Sequence, residues 1–318
     1  MDSKPVTSTP LTVPHPTTLC PLCLETRATK FMERNGYTIV CCQSCTLLYV
    51  SPTPSDAELA AHYQQLSYFE GDAGQGYRSY LEMEKALQPH FLRRLRYLEE
   101  RLGRTGRLLD FGCASGYFLE LAQQAGWQVT GVELSAEMAQ VAANRIAAGG
   151  GQVFTTPDGL GDQVFDVVTL WEVIEHLPRP VATLRTLAAR LRPGGLLMLS
   201  TPNTAHWQAQ RAPAAWVGYR PPSHLLFFTP ATLTQTLTAA ALAQVRMMPV
   251  APRPPLPGWV ERLSAPLQAG LADGSARPWR LSLYTWRAIR LAGWGWQRLA
   301  HPADDIFTTL EACAEKPG

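Results

Sequence analysis

The middle of the chain alternates short apolar runs with longer segments whose apolar residues stand three and four positions apart. The runs are typical of buried strands, and the longer segments are typical of helices with one apolar face. This alternation predicts an α/β fold in which a doubly wound, mostly parallel sheet of seven strands is covered by helices on both faces. We expect strands near residues 108, 129, 152, 165, 196, 245 and 306.

The pattern also divides the chain into segments. Residues 1–19 are rich in Pro, Thr and Ser and lack the apolar run of a signal peptide, which predicts a disordered leader. A charged helix is predicted from about residue 77 to 102, with its arginines and glutamates forming a solvated face. The predicted segments are the leader at 1–19, a cysteine-containing module at 20–50, a helical connector at 51–106, the core at 107–250, a helical insertion at 251–303, and the last strand and tail at 304–318.

Four cysteines form two Cys-x-x-Cys pairs, Cys20 with Cys23 and Cys42 with Cys45, separated by eighteen residues. This spacing is typical of a zinc ribbon, in which two tight turns present four thiolates to one tetrahedral Zn²⁺. Between the pairs, apolar and polar residues alternate around an Asn-Gly dipeptide at 35–36, a favoured turn of two-residue β-hairpins. The sequence therefore predicts a structural zinc site, closed by four cysteines and without an open position for catalysis.

Two alternatives to this ligand set remain. Cys41 stands next to Cys42 and could replace it, although only Cys42 gives the x-x spacing to Cys45. The four cysteines could also be unrelated buried or disulfide-bonded residues. In a reducing compartment, paired cysteines hold a metal more often than they form disulfides.

A glycine-containing turn follows the first strand of the core. The strand at 108–111 contains Asp110, and the turn contains Gly112 and Gly116. Glycines there let backbone approach a ligand, and the acid Glu133 at the end of the next strand can accept hydrogen bonds from both hydroxyls of a ribose. A carboxylate at position 110 would repel a pyrophosphate but suits an ammonium group. The unit therefore favours S-adenosylmethionine (SAM) over a dinucleotide.

Together with three later motifs, this unit resembles the class I SAM-dependent methyltransferases, which include the ubiquinone-pathway O-methyltransferases and many sugar and natural-product enzymes. The later motifs are FDVVTLWEVIEHL at 165–177, LRPGGLLMLSTPN at 191–203, and PSHLLFFTPATLTQTL from residue 222. The resemblance runs from about Leu108 to Val250 and implies a Rossmann-like methyltransferase sheet, with segment 51–106 capping the cofactor. One departure is Ala114, which stands where the family usually has the middle glycine of the first loop.

The resemblance also implies roles for residues at the carboxyl edge of the sheet. Glu133 would hold the ribose with Leu134 beside it, Asp158 would face the adenine amine, and Trp171 would line the pocket. Asp158 has an equally acceptable interpretation as a turn residue in the sequence PDG. The predicted cofactor-binding residues are Asp110, Gly112, Gly116, Glu133, Leu134, Asp158 and Trp171.

Methyl transfer requires an aligned acceptor and, where the acceptor must lose a proton, a base. Glu175-His176 follows the fourth strand and His224 follows the fifth at the same edge of the sheet, so these three are the candidate catalytic residues. A histidine near its ordinary pKa can deprotonate a hydroxyl group. The alternative is that Glu175-His176 caps or packs the next helix. The five other histidines are expected to be ordinary surface or core residues.

The stretch 204–224 is long, aromatic and poor in regular pattern, as expected of a loop over an acceptor pocket. Trp216, Tyr219 and Arg220 could contact the acceptor. They could equally pack the loop against the core.

The insertion after residue 250 departs from the minimal fold. Beyond a Pro-rich break at 251–258, residues 277–299 carry five arginines, four tryptophans and no acid. A basic, Trp-rich amphipathic helix can lie in a membrane interface or accept a lipid-linked or polyanionic substrate. The alternative, which the sequence favours slightly, is a helical hairpin packed on the edge of the sheet.

Composition and charge narrow the function classes. The 318 residues are 46% hydrophobic and 17% charged, with a formal net charge of +2, which is too balanced for a dedicated nucleic-acid binder. No run approaches the ~20 apolar residues that cross a bilayer. We expect a cytoplasmic protein. A peripheral contact with the inner face of the membrane through 277–299 and a homodimer are open alternatives.

Three functions fit these observations. The first is SAM-dependent methyl transfer to a small-molecule acceptor: a sugar, a glycan or lipid-linked precursor, or a secondary metabolite. The second is an RNA base methyltransferase whose zinc module grips RNA, but the few and balanced charges of segment 20–45 argue against a nucleic-acid partner. The third is a non-catalytic SAM-binding scaffold, against which the intact cofactor residues speak.

Overall fold

The computed structural model describes residues 19–55, 57–59, 76–248, 258–272, 275, 277–300, 305 and 307–318, and all structural statements concern these residues. Nearly all of the predicted leader lies outside them. So do residues 60–75 of the predicted connector and 249–257 around the predicted Pro-rich break.

The described chain contains both strands and helices in the predicted alternation. The strands are β1 Ala28–Arg34, β2 Tyr37–Cys42, β3 Leu48–Val50, β4 Arg107–Phe111, β5 Gln128–Val132, β6 Gln152–Phe154, β7 Phe165–Trp171, β8 Leu191–Pro202, β9 Leu226–Phe227, β10 Ala243–Met248 and β11 Thr309–Glu315. The α-helices are α1 Gly76–Leu102, α2 Tyr117–Gln124, α3 Ala136–Ile146, α4 Pro180–Ala189, α5 Trp207–Arg211, α6 Pro230–Ala239, α7 Gly258–Ala272 and α8 Trp279–Ala300. The helix predicted from about 77 to 102 corresponds to α1.

Seven strands form one sheet in the order β10-β11-β8-β7-β4-β5-β6. The run from β8 to β6 is parallel, whereas β11 is antiparallel to both of its neighbours. The predicted doubly wound α/β sheet is confirmed. Its last strand begins at Thr309 rather than near 306, because Asp305 forms an isolated bridge with His206 before the ladder with β8 starts.

Alternate residues of the central strands serve the two faces of the sheet. Leu108 and Val167 belong to a core cluster with α1 and α2, whereas Leu109 and Val168 belong to a cluster with α4 and α6. Successive side chains of a strand point to opposite faces, and here both faces are covered. These strands therefore read as continuous apolar runs rather than as alternating ones.

The N-terminal module forms a second, antiparallel sheet in the order β1-β2-β3-β9. Asn35 and Gly36 join β1 to β2 with φ values of 52° and 78°. Both values lie in the left-handed region that a tight two-residue hairpin turn requires, so the predicted hairpin is confirmed. The fourth strand, β9, belongs to the core, and it attaches the module directly to the larger domain.

The predicted solvated face of α1 was wrong at Arg94. This side chain is 8% exposed. Its Nη2 and Nε atoms both donate hydrogen bonds to Oε1 of Glu311 on β11, at 2.7 Å and 3.1 Å. The neighbouring Arg93 contacts the other carboxylate oxygen at 2.6 Å. The burial of Arg94 depends on an acid more than two hundred residues away in the sequence, so the local charge pattern could not predict it.

The helical insertion forms a hairpin of α7 and α8. Gly293 of α8 lies so close to α7 that an added Cβ would come within 2.4 Å of the Val260 side chain. The rings of Trp259 and Trp296 meet edge to face at 6.3 Å. Among the described residues, no helix combines the length and the hydropathy that crossing a bilayer requires.

Candidate cofactor and acceptor sites

Asp110 lies at the end of β4 and is fully buried. The hydroxyl of Thr169, on the neighbouring parallel strand β7, donates a hydrogen bond of 2.6 Å to Asp110 Oδ1. Burial raises the pKa of the Asp110 carboxyl to about 7, although the hydrogen bond from Thr169 and the charge of Arg94 oppose the shift. A buried carboxylate with so little compensation would gain from a bound cation such as an ammonium group.

The two predicted cofactor-binding glycines of the first loop pack closely against neighbouring protein atoms. Gly112 and Gly116 have φ values of 81° and 75°, in the left-handed region. A Cβ at Gly112 would lie 2.6 Å from the Val173 side chain, and one at Gly116 would lie 2.8 Å from Ala142 Cβ. Tight packing of loop, strand and helix therefore requires glycine at both positions, and the approach of a ligand to this backbone stays a prediction.

Glu133 follows β5 and ties the first loop to the second strand. Its Oε2 accepts a hydrogen bond from the Ala114 N–H and its Oε1 accepts one from the Ser135 N–H, both at 2.9 Å. Burial raises the pKa of this carboxyl, while the two backbone donors pull it down. The side chain lies where the resemblance places a ribose-binding acid.

The other two predicted cofactor residues near this edge are exposed. Leu134, next to Glu133, has 69% of its surface accessible, which is unusual for a leucine beside a buried strand. Asp158 is exposed within the short 3₁₀ segment Pro157–Leu160. Both its predicted contact with adenine and its interpretation as a turn residue remain compatible with this position.

Trp171 ends β7 and forms part of an aromatic wall. Its ring contacts Phe118 edge to face at 5.1 Å, and the Arg94 guanidinium lies 4.1 Å from its centroid. The indole Nε1 is buried and has no hydrogen-bond partner among the described residues. Trp171 is thus packed against protein in this structure, and its place in the lining of the cofactor pocket stays a prediction.

Sequence reasoning missed the contact that holds α1 to the first loop. The buried Glu84 of α1 accepts a hydrogen bond of 2.9 Å from the Ser115 hydroxyl and pairs with Arg145 of α3 at 3.0 Å. The first loop is therefore fixed from both sides, by Glu84 and by Glu133. No local pattern distinguishes Glu84 from the other acids of a charged helix.

A second omission is Glu172, the residue after β7. Its φ of 54° is left-handed, and its N–H donates to the Ser200 carbonyl at 3.1 Å. The side chain is accessible, and desolvation by the surrounding protein raises its pKa. An acid directly after a central parallel strand was a signal that could have found it.

His176 and His224 lie side by side, with ring centroids 4.9 Å apart and planes nearly perpendicular. The Nδ1 atom of His176 is 2.6 Å from the Ser223 carbonyl oxygen, and that of His224 is 2.8 Å from the Gly218 carbonyl oxygen. Because a carbonyl oxygen only accepts, each Nδ1 carries the hydrogen. A neutral His224 ring therefore has its lone pair on Nε2, whereas His176 makes a further hydrogen bond to the Glu172 backbone. Burial lowers the pKa of His176 to about 3 and that of His224 to about 4.

Glu175 is buried below this pair. Its Oε2 accepts a hydrogen bond of 2.9 Å from the Thr201 hydroxyl, and its Oε1 lies 4.0 Å from His176 Nε2. Burial and the neighbouring Glu172 raise its pKa well above the ordinary range. One ligand atom from each of Glu175, His176 and His224 lies within 4.8 Å of the others, so the three predicted catalytic residues form one cluster.

The four predicted zinc ligands also form one cluster. The Sγ atoms of Cys20 and Cys45 are 3.5 Å apart, as are those of Cys23 and Cys42. A tetrahedron with Zn–S bonds of about 2.3 Å has sulfurs about 3.8 Å apart, so the thiols are spaced as Zn²⁺ requires. Cys41 lies outside this cluster, which favours Cys42 between the two alternatives.

The ribbon holds the segment that carries His224. Strand β3 pairs with β9, with Tyr49 opposite Leu226, and the Val50 N–H donates to the Leu225 carbonyl at 2.9 Å. The Leu225 N–H in turn donates to the Glu175 carbonyl at 2.8 Å. A continuous set of hydrogen bonds therefore joins the metal-binding module to the histidine cluster.

Two of the three aromatic or basic candidates of loop 204–224 pack inside the protein. Trp216 is buried and stacks on His206 at 4.7 Å, and Tyr219 is fully buried against Phe227 at 5.1 Å. These positions support their interpretation as packing residues. Arg220 is exposed, and its contact with an acceptor stays a prediction.

A family model described as a methyltransferase domain matches residues 79–245, which is more than half of the chain. The chain belongs to the methyltransferase-domain family. The match covers β4 to β8 and the segment that carries both candidate histidines, so the class I SAM-dependent methyltransferase resemblance and its Rossmann-like fold are confirmed.

Similar curated proteins share part of this region. A ubiquinone biosynthesis O-methyltransferase of Xanthomonas euvesicatoria pv. vesicatoria is 38% identical over 130 residues, covering 39% of this chain and 52% of that protein. One from Idiomarina loihiensis is 34% identical over 151 residues, covering 44% and 62%. The chain thus spans about half the length of the first of these relatives. A SAM-dependent methyltransferase structure from Archaeoglobus fulgidus aligns over 80% of this chain and 99% of its own, with 17% identity and a TM-score of 0.49.

Proposed function

We propose that the chain catalyses SAM-dependent methyl transfer to a hydroxyl group of a small-molecule acceptor. The observation that carries the proposal is the neutral pair His176 and His224, which lies beyond the carboxyl end of β7. Asp110 ends the adjacent strand β4, in register with Thr169. The predicted cofactor residues and one proton acceptor, His224, therefore lie at one edge of the sheet, where ligands of such sheets bind.

The residues at this edge fit SAM. Asp110 offers a carboxylate to the ammonium of the amino acid end, Glu133 offers carboxylate oxygens to the ribose hydroxyls, and Leu134 offers an exposed apolar surface to the adenine. When bound, SAM supplies a methyl group on a positively charged sulfur. Glu84 and Glu133 hold the first loop so that these groups keep their spacing.

We assign the acceptor hydroxyl to His224. Its Nδ1–H is held by the Gly218 carbonyl, so its Nε2 lone pair can accept the hydroxyl proton as oxygen attacks. His176 packs edge to face against it and fixes the orientation of its ring. The pKa of His224 is low, which makes it a weak base that remains uncharged across the neutral range.

The acceptor class follows from the chemistry and the relatives together. O-methylation of a small molecule is what the names of the curated relatives state for those proteins. The acceptor would carry a hydroxyl group whose proton a neutral histidine can accept. Such acceptors include a sugar, a glycan or lipid-linked precursor, and a secondary metabolite. We propose that Zn²⁺ is structural, holding the ribbon that carries β3 and, through it, the His224 segment.

RNA methylation is less favoured because the basic residues of the ribbon are engaged. Arg27 pairs with Glu25 at 3.0 Å, Lys30 pairs with Glu33, and Arg34 donates to the Ala214 carbonyl at 2.8 Å. Phosphate-dominated binding needs cations that can be neutralised by the nucleic acid. A non-catalytic scaffold is less favoured because it gives no reason for a buried pair of neutral imidazoles beside the cofactor residues.

The test is product analysis with isotopically labelled SAM, using a panel of sugars, lipid-linked glycan precursors and phenols, and total RNA as a separate acceptor. We expect a labelled methyl ether in one small-molecule class, and His224→Gln should lower its formation at least ~100-fold, since general-base catalysis contributes about that much. His224→Gln should bind SAM normally in calorimetry. Label in RNA, or full turnover by both His224→Gln and His176→Gln, would contradict the proposal.

A further inference from the structure

The outer face of α8 is an apolar stripe without a partner among the described residues. Leu281, Tyr284, Ala288, Leu291 and Leu299 are all exposed, and Leu281, Tyr284, Leu291 and Leu299 keep between 62% and 85% of their surface accessible. Spacings of three, four, three and eight place them on one side of a helix with 3.6 residues per turn. A stripe of large exposed apolar side chains marks an interaction surface.

The stripe is not the surface that holds the hairpin together. The side of α8 that contacts α7 contains Gly293, buried against Val260, and Trp286, whose Nε1 is buried. These two residues are seven positions apart and lie on the opposite side of the helix from Leu281 and Ala288. The hairpin is therefore complete without the stripe.

Cations flank the stripe and no acid interrupts it. Arg280 and Arg287 are exposed and seven positions apart, so they form a row beside the apolar residues. The helix contains no Asp or Glu, and none occurs between Asp273 and Asp304. Trp279 near the helix start is 57% exposed, with the Arg280 guanidinium 5.8 Å from its ring centroid.

We propose that the outer face of α8 docks on an anionic lipid bilayer, with the helix lying parallel to the membrane plane. The apolar side chains would enter the boundary between headgroups and acyl chains, and Arg280 and Arg287 would contact anionic headgroups. Exposed arginine suits this interface because it joins an apolar stem to a charged tip. The helix lies on the bilayer and does not cross it.

Charge decides between a bilayer and a second copy of this chain. Two α8 helices packed through their stripes would bring their arginine rows into one interface, and neither helix has an acid to pair with them. An anionic surface supplies the opposite charge. Docking of α8 is independent of methyl transfer.

The experiment is flotation of the full chain with vesicles of phosphatidylcholine alone and of phosphatidylcholine mixed with phosphatidylglycerol. We expect binding only to the mixed vesicles. Arg280→Gln with Arg287→Gln should lower the partition coefficient about fivefold for each charge removed. Leu281→Gln with Leu291→Gln should abolish binding, because it interrupts the stripe.

A control variant separates docking from general effects. Arg262→Gln removes an exposed charge from α7, so it should float as the unmodified chain does. SAM binding by calorimetry checks folding of each variant and tests the proposed function separately. Equal binding to neutral vesicles, or binding unchanged in both double variants, would overturn the proposal. So would a dimer in sedimentation analysis that Leu281→Gln with Leu291→Gln dissociates without any vesicle binding.

Discussion

At the scale of single residues, the candidate site depends on groups whose ionisation burial has changed. Asp110 and Glu133 have raised pKa values, and His176 and His224 have lowered ones. In each case burial disfavours the charged form. A bound ligand that carries charge would therefore alter the protonation of these groups.

Asp110 should make SAM affinity depend on pH. Because its pKa is about 7, the carboxyl is mostly protonated below neutrality and mostly ionised above it. Affinity for the ammonium should therefore rise about tenfold from one unit below that pKa to one unit above it. Calorimetry across this range measures it, and Asp110→Asn should bind weakly with a much flatter pH dependence.

The same shift has a consequence for folding. Between pH 3.8 and about 7, the folded state holds a proton on Asp110 that the unfolded chain has lost. The contribution of this group to the free energy of unfolding is therefore fully present below pH 3.8 and is lost as pH rises through about 7. Asp110→Asn should remove this part of the pH dependence of unfolding. An unchanged slope in that variant would contradict the assignment.

Ala114 is held in a conformation that costs stability. Its φ is 46°, a left-handed value that costs an L-residue about 1–2 kcal/mol. Ala114→Gly removes this strain but makes the unfolded chain more flexible by about 0.4–1 kcal/mol, so we expect a net gain of up to about 1 kcal/mol in urea unfolding. Ala125→Gly is the matched control, because φ there is −83° and glycine should give no gain. Equal effects of the two substitutions would argue against strain at Ala114.

At the scale of elements, the two-residue strand β9 connects the metal module to the chemistry. It pairs with β3 two residues after His224, whereas the cofactor loop between β4 and α2 has hydrogen bonds to α1, to β5 and to Glu133. The cofactor half and the acceptor half of the site are therefore supported by different elements. Loss of the ribbon should affect only the acceptor half.

Removal of the metal should separate acceptor turnover from SAM binding. Cys20→Ser with Cys23→Ser should remove about one Zn²⁺ per chain and lower kcat/KM for the acceptor, because β3 would no longer hold β9 and His224 in place. SAM binding by calorimetry should change little. Cys41→Ser, outside the thiol cluster, should keep both metal and turnover. Full turnover by the metal-free variant would contradict the positioning role.

The elements also show how far the sequence could predict the structure. Short apolar runs and helical patterns predicted the order of strands and helices, and the spacing of Cys20, Cys23, Cys42 and Cys45 predicted their clustering. Pairing of β9 with β3 could not be predicted, because a two-residue strand has no period. Glu84 was missed for a similar reason, since its partner Ser115 lies in a different element.

At the scale of the whole molecule, Glu311 joins the two ends of the domain. It lies on β11, in the middle of the antiparallel edge, and accepts hydrogen bonds from Arg93 and Arg94 of α1. Arg94 in turn lies over the Trp171 ring beside the predicted cofactor pocket. The last strand therefore fixes the helix that holds the first loop.

Glu311→Ala should be among the most destabilising single substitutions of this chain. It leaves Arg94, 8% exposed, without its carboxylate, and an unpaired buried charge costs about 3–5 kcal/mol. The matched control is Glu315→Ala on the same strand. Its partner Arg101 is 24% exposed at 3.4 Å, and such a pair contributes about 0–1 kcal/mol. Urea unfolding of both variants measures the difference. Replacing Glu311 and Arg94 together by apolar residues should destabilise the fold less than Glu311→Ala alone, because no buried charge of that pair remains. If the loss of stability in the double variant equals the sum of the losses in the single variants, the two residues contribute independently. The ion pair would then not couple α1 to β11.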